Sequence, residues 1–244
     1  MTKLKFELEF KEVNTTENNG IPVIIVAAGS SSRMKGINKQ FATIAGIPVI
    51  ARTLLAFENC SLISKIILVT KKEFIPDMQL IADKYMIGKL DSIIEGGNDR
   101  HASVMSGIDA LKKEDTKVLI HDGARPFVTE NIIKNCIGAL GGADGCLCGI
   151  KINDTVKKVD EKGMVVNTVD RTFLFSAQTP QGVDVAAYKK ASMELKDNDF
   201  TDDASVLEAA GYTVKMVEGS SRNIKITCAE DLILAESLII KGEA

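Results

Sequence analysis

Three short segments carry the residue types that phosphate chemistry requires. In the first, Ala27-Ala28-Gly29-Ser30-Ser31-Ser32-Arg33-Met34 follows the apolar run 23–27. Its small side chains let backbone N–H groups approach phosphate oxygens. Arg33 and then Lys39, in Lys39-Gln40-Phe41, add a forked donor and a point charge. That pair suits the extra negative charge of a phosphoryl-transfer transition state. A dinucleotide loop would need Gly-x-Gly-x-x-Gly, and a Walker loop Gly-Lys followed by Ser or Thr. This loop holds Gly29 alone and matches neither. The bland alternative is a surface Arg and Lys flanking an ordinary strand-to-helix turn.

The second segment is Glu95-Gly96-Gly97-Asn98-Asp99-Arg100-His101-Ala102-Ser103. Paired glycines free the backbone to approach a flat ligand, and Ser103 offers a hydroxyl near a helix start. A glycine turn with a helix cap accounts for the same residues, and His101 reads most simply as a surface side chain of the first helical turn. The third segment is His121-Asp122-Gly123-Ala124-Arg125-Pro126-Phe127. An Asp at a strand end facing phosphates is a usual holder of a magnesium ion or a ribose hydroxyl. An Asp122–Arg125 ion pair is the structural alternative.

Each segment follows an apolar run, at 23–27, 93–95 and 118–121, and a fourth run occupies 66–70. Between them, residues 49–57, 73–85 and 100–111 have helical spacing of apolar side chains. Such alternation predicts an α/β fold, a Rossmann-like, mostly parallel sheet with helices on both faces, whose ligands bind beyond the C-terminal strand ends. At 151–172 the rhythm breaks into two strand-like pieces around Asp160-Glu161-Lys162-Gly163, a projecting hairpin. An isolated hairpin is marginal in water, so this arm is expected to pack on a second subunit. A final helix is expected at 229–240. Residues 1–21 read as an N-terminal extension, with strict alternation at 3–10 that fits an edge strand or a loose attachment. Residues 22–244 read as one domain.

The 244 residues are 45% hydrophobic, enough for a sizeable core. The net charge of -3, with no basic block, gives no reason to expect a nucleic-acid partner. No apolar run is long enough for a membrane span, and Lys3, Lys5, Glu7 and Glu9 do not suit a secretory signal, so a cytoplasmic location is expected. Cys60, Cys136, Cys146, Cys148 and Cys228 are odd in number and lack Cys-x-x-Cys spacing. They are expected to be reduced and packed, Cys146 and Cys148 on one face of a strand.

In this order the segments resemble the cytidylyltransferases of the methylerythritol phosphate pathway, which join 2-C-methyl-D-erythritol 4-phosphate to CMP. The matching residues are Ala27-Ala28-Gly29, Arg33-Met34, Lys39-Gln40, Gly96-Gly97 with Arg100 and Ser103, and His121 to Pro126. Downstream they are Asp154-Thr155, Thr168-Val169-Asp170-Arg171, Gln178-Thr179-Pro180-Gln181, Thr201-Asp202-Asp203-Ala204-Ser205 and Asn223-Ile224-Lys225-Ile226-Thr227. The match runs from about Pro22 to the C-terminus. Ser31 stands where many members carry a second glycine, and Asn38 where Pro often precedes the lysine.

The resemblance implies that Arg33 and Lys39 stabilise the transition state at the α-phosphorus of CTP. The backbone of Ala27, Ala28, Gly29 and Gly97, with the Ser103 hydroxyl, would recognise the cytosine. Asp122 would sit near Mg2+ and the phosphates. Arg171 and Lys225 would position the phosphate of the sugar alcohol, with Thr155, Thr201 and Arg125 nearby. The arm, carrying Thr155 and Arg171, would cross to the partner in a homodimer, so the acceptor site would be shared and a monomer poorly active. A sister enzyme using ribitol 5-phosphate shares the loop and the Thr-Pro-Gln element, but residues 201–205 look more like the methylerythritol phosphate enzyme. A non-catalytic nucleotide-binding regulatory protein would not need cations for both reacting phosphates. A redox enzyme on a dinucleotide fold would need the glycines that are missing.

Overall fold

The structure is a computed structural model that describes residues 20–29, 38–195 and 199–240. Arg33 and the alternating segment 3–10 lie outside the described residues.

The apolar run of β1 (Ile21–Val26) leads, after the loop, to the short antiparallel pair β2 (Thr43–Ile44) and β3 (Ile47–Pro48) and then to α1 (Val49–Glu58). Next come β4 (Ile63–Thr70), α2 (Ile75–Lys84), β5 (Leu90–Glu95), α3 (Arg100–Asp109), β6 (Lys117–Asp122) and α4 (Glu130–Ala139). The helix expected over 73–85 is shorter because Pro76 fits only its first turn, and residues Lys72–Phe74 form a separate 3-10 turn. The chain continues through β7 (Gly145–Lys151), β8 (Lys157–Val159), β9 (Val165–Thr168), β10 (Phe175–Asp184), α5 (Val185–Glu194), α6 (Asp203–Ala209), β11 (Val214–Glu218) and α7 (Ala229–Ile240).

Seven strands form one sheet in the order β11-β7-β10-β6-β1-β4-β5. The pairings are parallel except those of β10, which runs antiparallel to both β6 and β7. Side chains alternate along the strands. Val23 and Ile25, with Ile66 and Leu68, point to one face and meet Leu54 and Phe57 of α1, Met78 of α2 and Ile133 of α4. Ile24, with Ile67 and Val69, points to the other and meets Val104 of α3, Tyr188 of α5 and Leu207 of α6. Burying one side chain such as Leu54 contributes roughly 1.5–3 kcal/mol, so both layers hold the strand ends rigidly. Cys60, Cys136, Cys146 and Cys148 are buried free thiols; the last three and Cys60 share the first layer.

Between β7 and β10 the chain leaves the sheet as the expected hairpin, with β8 and β9 antiparallel. Asp160 closes the turn by accepting from the N–H groups of Lys162 and Met164. Among the described residues no helix is long and apolar enough to cross a membrane.

Candidate active site

The chain leaves β1 toward β4 and β5, then returns to its other side with β6. The loops after β1 and β6 therefore diverge and leave a crevice at the C-terminal strand ends. A cavity of about 530 Å³ opens there. Ala28 and Gly29 line it from β1, Lys71 from β4, Gly96 to Asp99 from β5, and Asp122 from β6. Arg100 and Ser103 of α3, with Lys39, Gln40 and Lys225, complete the wall. Lys39, Lys71, Arg100 and Lys225 oppose Asp99 and Asp122, so the described lining is net positive and suits a polyphosphate.

Asp122 sits at the floor with its side chain 9% exposed. Lys225 Nζ lies 2.7 Å from its Oδ2, and the Nε atoms of Arg125 and Arg100 lie 3.6 Å from Oδ2 and Oδ1. Burial opposes its ionisation, but Lys225, Arg100 and Arg125 together hold its carboxyl well below the usual carboxylate range. The ion-pair alternative read from the sequence is thus present, and it leaves Asp122 facing the cavity. Arg100 is also gripped by Asp203, at 3.1 Å from Nη1 and 2.6 Å from Nη2. Burial works against its charge, but Asp203 and Asp122 raise its pKa above the usual arginine value. The Tyr188 hydroxyl donates to Asp203 at 3.0 Å.

The glycine pair does more than expose backbone to a ligand. A Cβ on Gly96 would lie 2.7 Å from Ala28 Cβ and from Ser103 Oγ, and one on Gly97 2.4 Å from Ala102 Cβ. Only glycine lets this turn close on the β1 loop and on α3. Asp99, not Ser103, caps α3, accepting from Ala102 N–H at 2.7 Å. Ser103 lines the cavity and donates to the Asp99 carbonyl at 2.7 Å.

His121 is fully buried beneath Asp122. Its Nε2 is 3.1 Å from the Arg125 carbonyl, which can only accept, so Nε2 carries the proton and Nδ1 accepts from the Thr179 hydroxyl at 3.1 Å. Burial lowers its pKa to about 4. His101, read as a surface residue, is half-buried: its ring packs against Tyr188 and Phe200, because α5 and the 200 loop lie over the start of α3.

Lys39, Lys225, Ala28, Gly29, Gly97, Ser103 and Asp122 are brought together. Ala27 is a step behind, buried, with its N–H bonded to the Val69 carbonyl at 2.7 Å. Arg125 turns away from the cavity and donates to the Asn223 carbonyl at 2.7 Å. Thr155, Arg171 and Thr201 are exposed and do not line it. Arg171 instead donates within the arm to the Asn153 carbonyl. The sequence reading gave no role to Lys71, Gln40, Arg100 or Asp203. Lys71 had a usable signal, its place one residue past a strand end. Gln40 is buried against the cavity with an Oε1 that has no hydrogen-bond partner among the described residues.

Residues 21–241 match the family model described as 2-C-methyl-D-erythritol 4-phosphate cytidylyltransferase. A protein of that name from Halalkalibacterium halodurans is 39% identical over 224 residues, which cover 91% of this chain and 97% of that protein. One from Clostridium botulinum strain Loch Maree is 44% identical over 222 residues, 90% and 97% of the two chains. The crystal structure of the 4-diphosphocytidyl-2C-methyl-D-erythritol synthase from Anaerococcus prevotii matches with a TM-score of 0.81 and 31% identity, covering 91% of this chain and 97% of that one. The chain belongs to the 2-C-methyl-D-erythritol 4-phosphate cytidylyltransferase family.

Proposed function

We propose that this protein transfers CMP from CTP to 2-C-methyl-D-erythritol 4-phosphate, releasing pyrophosphate and forming 4-diphosphocytidyl-2-C-methyl-D-erythritol. The observation that carries the reading is the cationic cavity at the switch point of the sheet, with Asp122 pinned at its floor among Lys225, Arg100 and Arg125.

An oxygen of the acceptor phosphate attacks the α-phosphorus, and the bond from that phosphorus to the bridging oxygen breaks as pyrophosphate leaves. The attacking monoester is already an anion, so alignment and charge neutralisation do most of the work. His121 is no candidate for a general base: both ring nitrogens are engaged. Arg33 and Lys39 act on the α-phosphate. The backbone of Ala28, Gly29 and Gly97 and the hydroxyl of Ser103 contact the cytosine. Lys225 reaches the acceptor phosphate from the cavity, and Arg171, Thr155 and Thr201 reach it from outside. Because Arg171 and Thr155 lie on the arm, they serve a partner's cavity in a homodimer.

Mg2+ would be held by Asp122. Among the described residues there is no group of three or more His, Cys, Asp or Glu side chains suited to a metal. A single carboxylate beside a polyphosphate cavity fits a magnesium ion that keeps waters and phosphate oxygens as its other ligands. When bound, the ion neutralises charge on the triphosphate and eases pyrophosphate departure.

The test is pyrophosphate release from CTP and Mg2+ with either methylerythritol phosphate or ribitol 5-phosphate. Release with the first and little with the second is expected. Release with ribitol 5-phosphate instead, or with neither acceptor, would overturn the proposal.

A further inference from the structure

The antiparallel strand β10 breaks register between Ala177 and Gln181, and Gln178, Thr179 and Gln181 there bond three different segments. Gln178 is 6% exposed, Thr179 4% and Gln181 1%. The Gln178 carboxamide closes on the loop that leads to Lys225. Its Nε2 donates to the Ser220 carbonyl at 2.9 Å and to the Asn223 carbonyl at 3.4 Å, and its Oε1 accepts from Ser220 N–H at 3.2 Å. The fit is tight, since a Cβ on Gly219 would lie 2.4 Å from that Oε1. Asn223 returns a bond from Nδ2 to the Thr179 carbonyl at 2.8 Å.

Thr179 holds the end of β6: its hydroxyl accepts from Asp122 N–H at 3.0 Å and donates to His121. Gln181 holds the start of α6. Its Oε1 accepts from the N–H groups of Asp203 and Ala204, both at 2.9 Å, and its Nε2 donates to Asp202 at 2.9 Å. Asp203 in turn fixes the Arg100 guanidinium. Neither glutamine lines the cavity, yet each is bonded to a segment that places one of its cations.

We propose that Gln178 is a positioning residue for Lys225 and Gln181 a positioning residue for Arg100, so that one bulge sets both sides of the cavity. The proposal rests on the reading that Lys225 meets the sugar phosphate, and it places Arg100 on the CTP side with Gly97 and Ser103. Gln178→Glu keeps the shape and removes the donor to Ser220 and Asn223. Gln181→Glu keeps the acceptor for Asp203 and Ala204 but sets a carboxylate against Asp202.

The test compares kcat, both KM values and Tm of these variants with the unsubstituted full-length protein. Gln178→Glu is expected to raise the KM for methylerythritol phosphate about tenfold while that for CTP stays within about threefold. Gln181→Glu is expected to show the reverse pattern, a change of about tenfold in the KM for CTP. If either glutamate variant fails to fold, Gln178→Met or Gln181→Met, which keep the volume, is read in the same way. Equal changes in both KM values, or a lower Tm with both KM values unchanged, would overturn the proposal. An unsubstituted protein inactive on this substrate pair would instead sink the functional reading on which it rests.

Discussion

In the cavity, the side chain of Asp122 is 9% exposed and lies within 3.6 Å of three cations supplied by two other segments and its own. On the arm, Val165 is 62% and Phe173 81% exposed, and Arg171 bonds only a carbonyl of the same arm among its described contacts. The two regions are proposed to serve one reaction, but they are built by opposite rules. The cavity is preorganised by strands whose both faces are covered, so its charges are fixed before a ligand arrives. The arm leaves apolar side chains in water that a single chain does not cover, which is the character of a surface awaiting a partner. The proposal that follows from this contrast is that one chain's cavity handles the nucleotide, while the acceptor is handled by that cavity together with the arm of a second chain.

The largest effect that would sharpen this contrast is on turnover. Lys39→Ala is expected to lower kcat by about 10³-fold with the fold intact by circular dichroism, as for loss of a charge-stabilising donor. Unchanged turnover would remove Lys39 from the chemistry. Arg171→Ala should raise the KM for methylerythritol phosphate by roughly 10²-fold and leave that for CTP within about threefold, because a phosphate–arginine contact is lost only on the acceptor side. Equal damage to both KM values would break the division of labour.

A smaller effect separates the regions by pH. Folded His121 has a pKa near 4 against 6.5 for the unperturbed side chain, so the unfolded chain takes up a proton first as pH falls. Stability is therefore fully present above about 6.5 and lost on going down to about 4, by up to about 3 kcal/mol at 1.36 kcal/mol per unit. Asp122, held low by its cations, extends the loss to still lower pH. His121→Gln is expected to flatten the fall of Tm between pH 7 and 4; an unaltered slope would show that His121 does not set it.

The sheet was legible because apolar runs and helical spacing are local properties, and β1, β4, β5 and β6 fall on the expected runs. The direction of β10 was not, since an apolar strand reads alike in a parallel or an antiparallel sheet. The cavity residues legible in the sequence were those next to strand ends, Gly29, Gly97 and Asp122 among them. Arg100 could be matched to a motif but not given a task, because its partner Asp203 lies 103 residues away. Gln178 and Gln181 act through loops 42 and 22 residues downstream, distances at which spacing carries no signal.

Mixing the Lys39→Ala and Arg171→Ala proteins, assayed at methylerythritol phosphate far below the raised KM so that each alone is nearly inactive, tests the divided site most directly. In a dimer of one Lys39→Ala chain and one Arg171→Ala chain, the cavity with intact Lys39 meets the partner arm with intact Arg171, and one site of two is whole. Random exchange of subunits makes half the dimers mixed, so activity should return to about a quarter of the unsubstituted level. If mixed dimers form and activity stays at the level of the separate variants, Arg171 serves the cavity of its own chain, and the division proposed here is wrong.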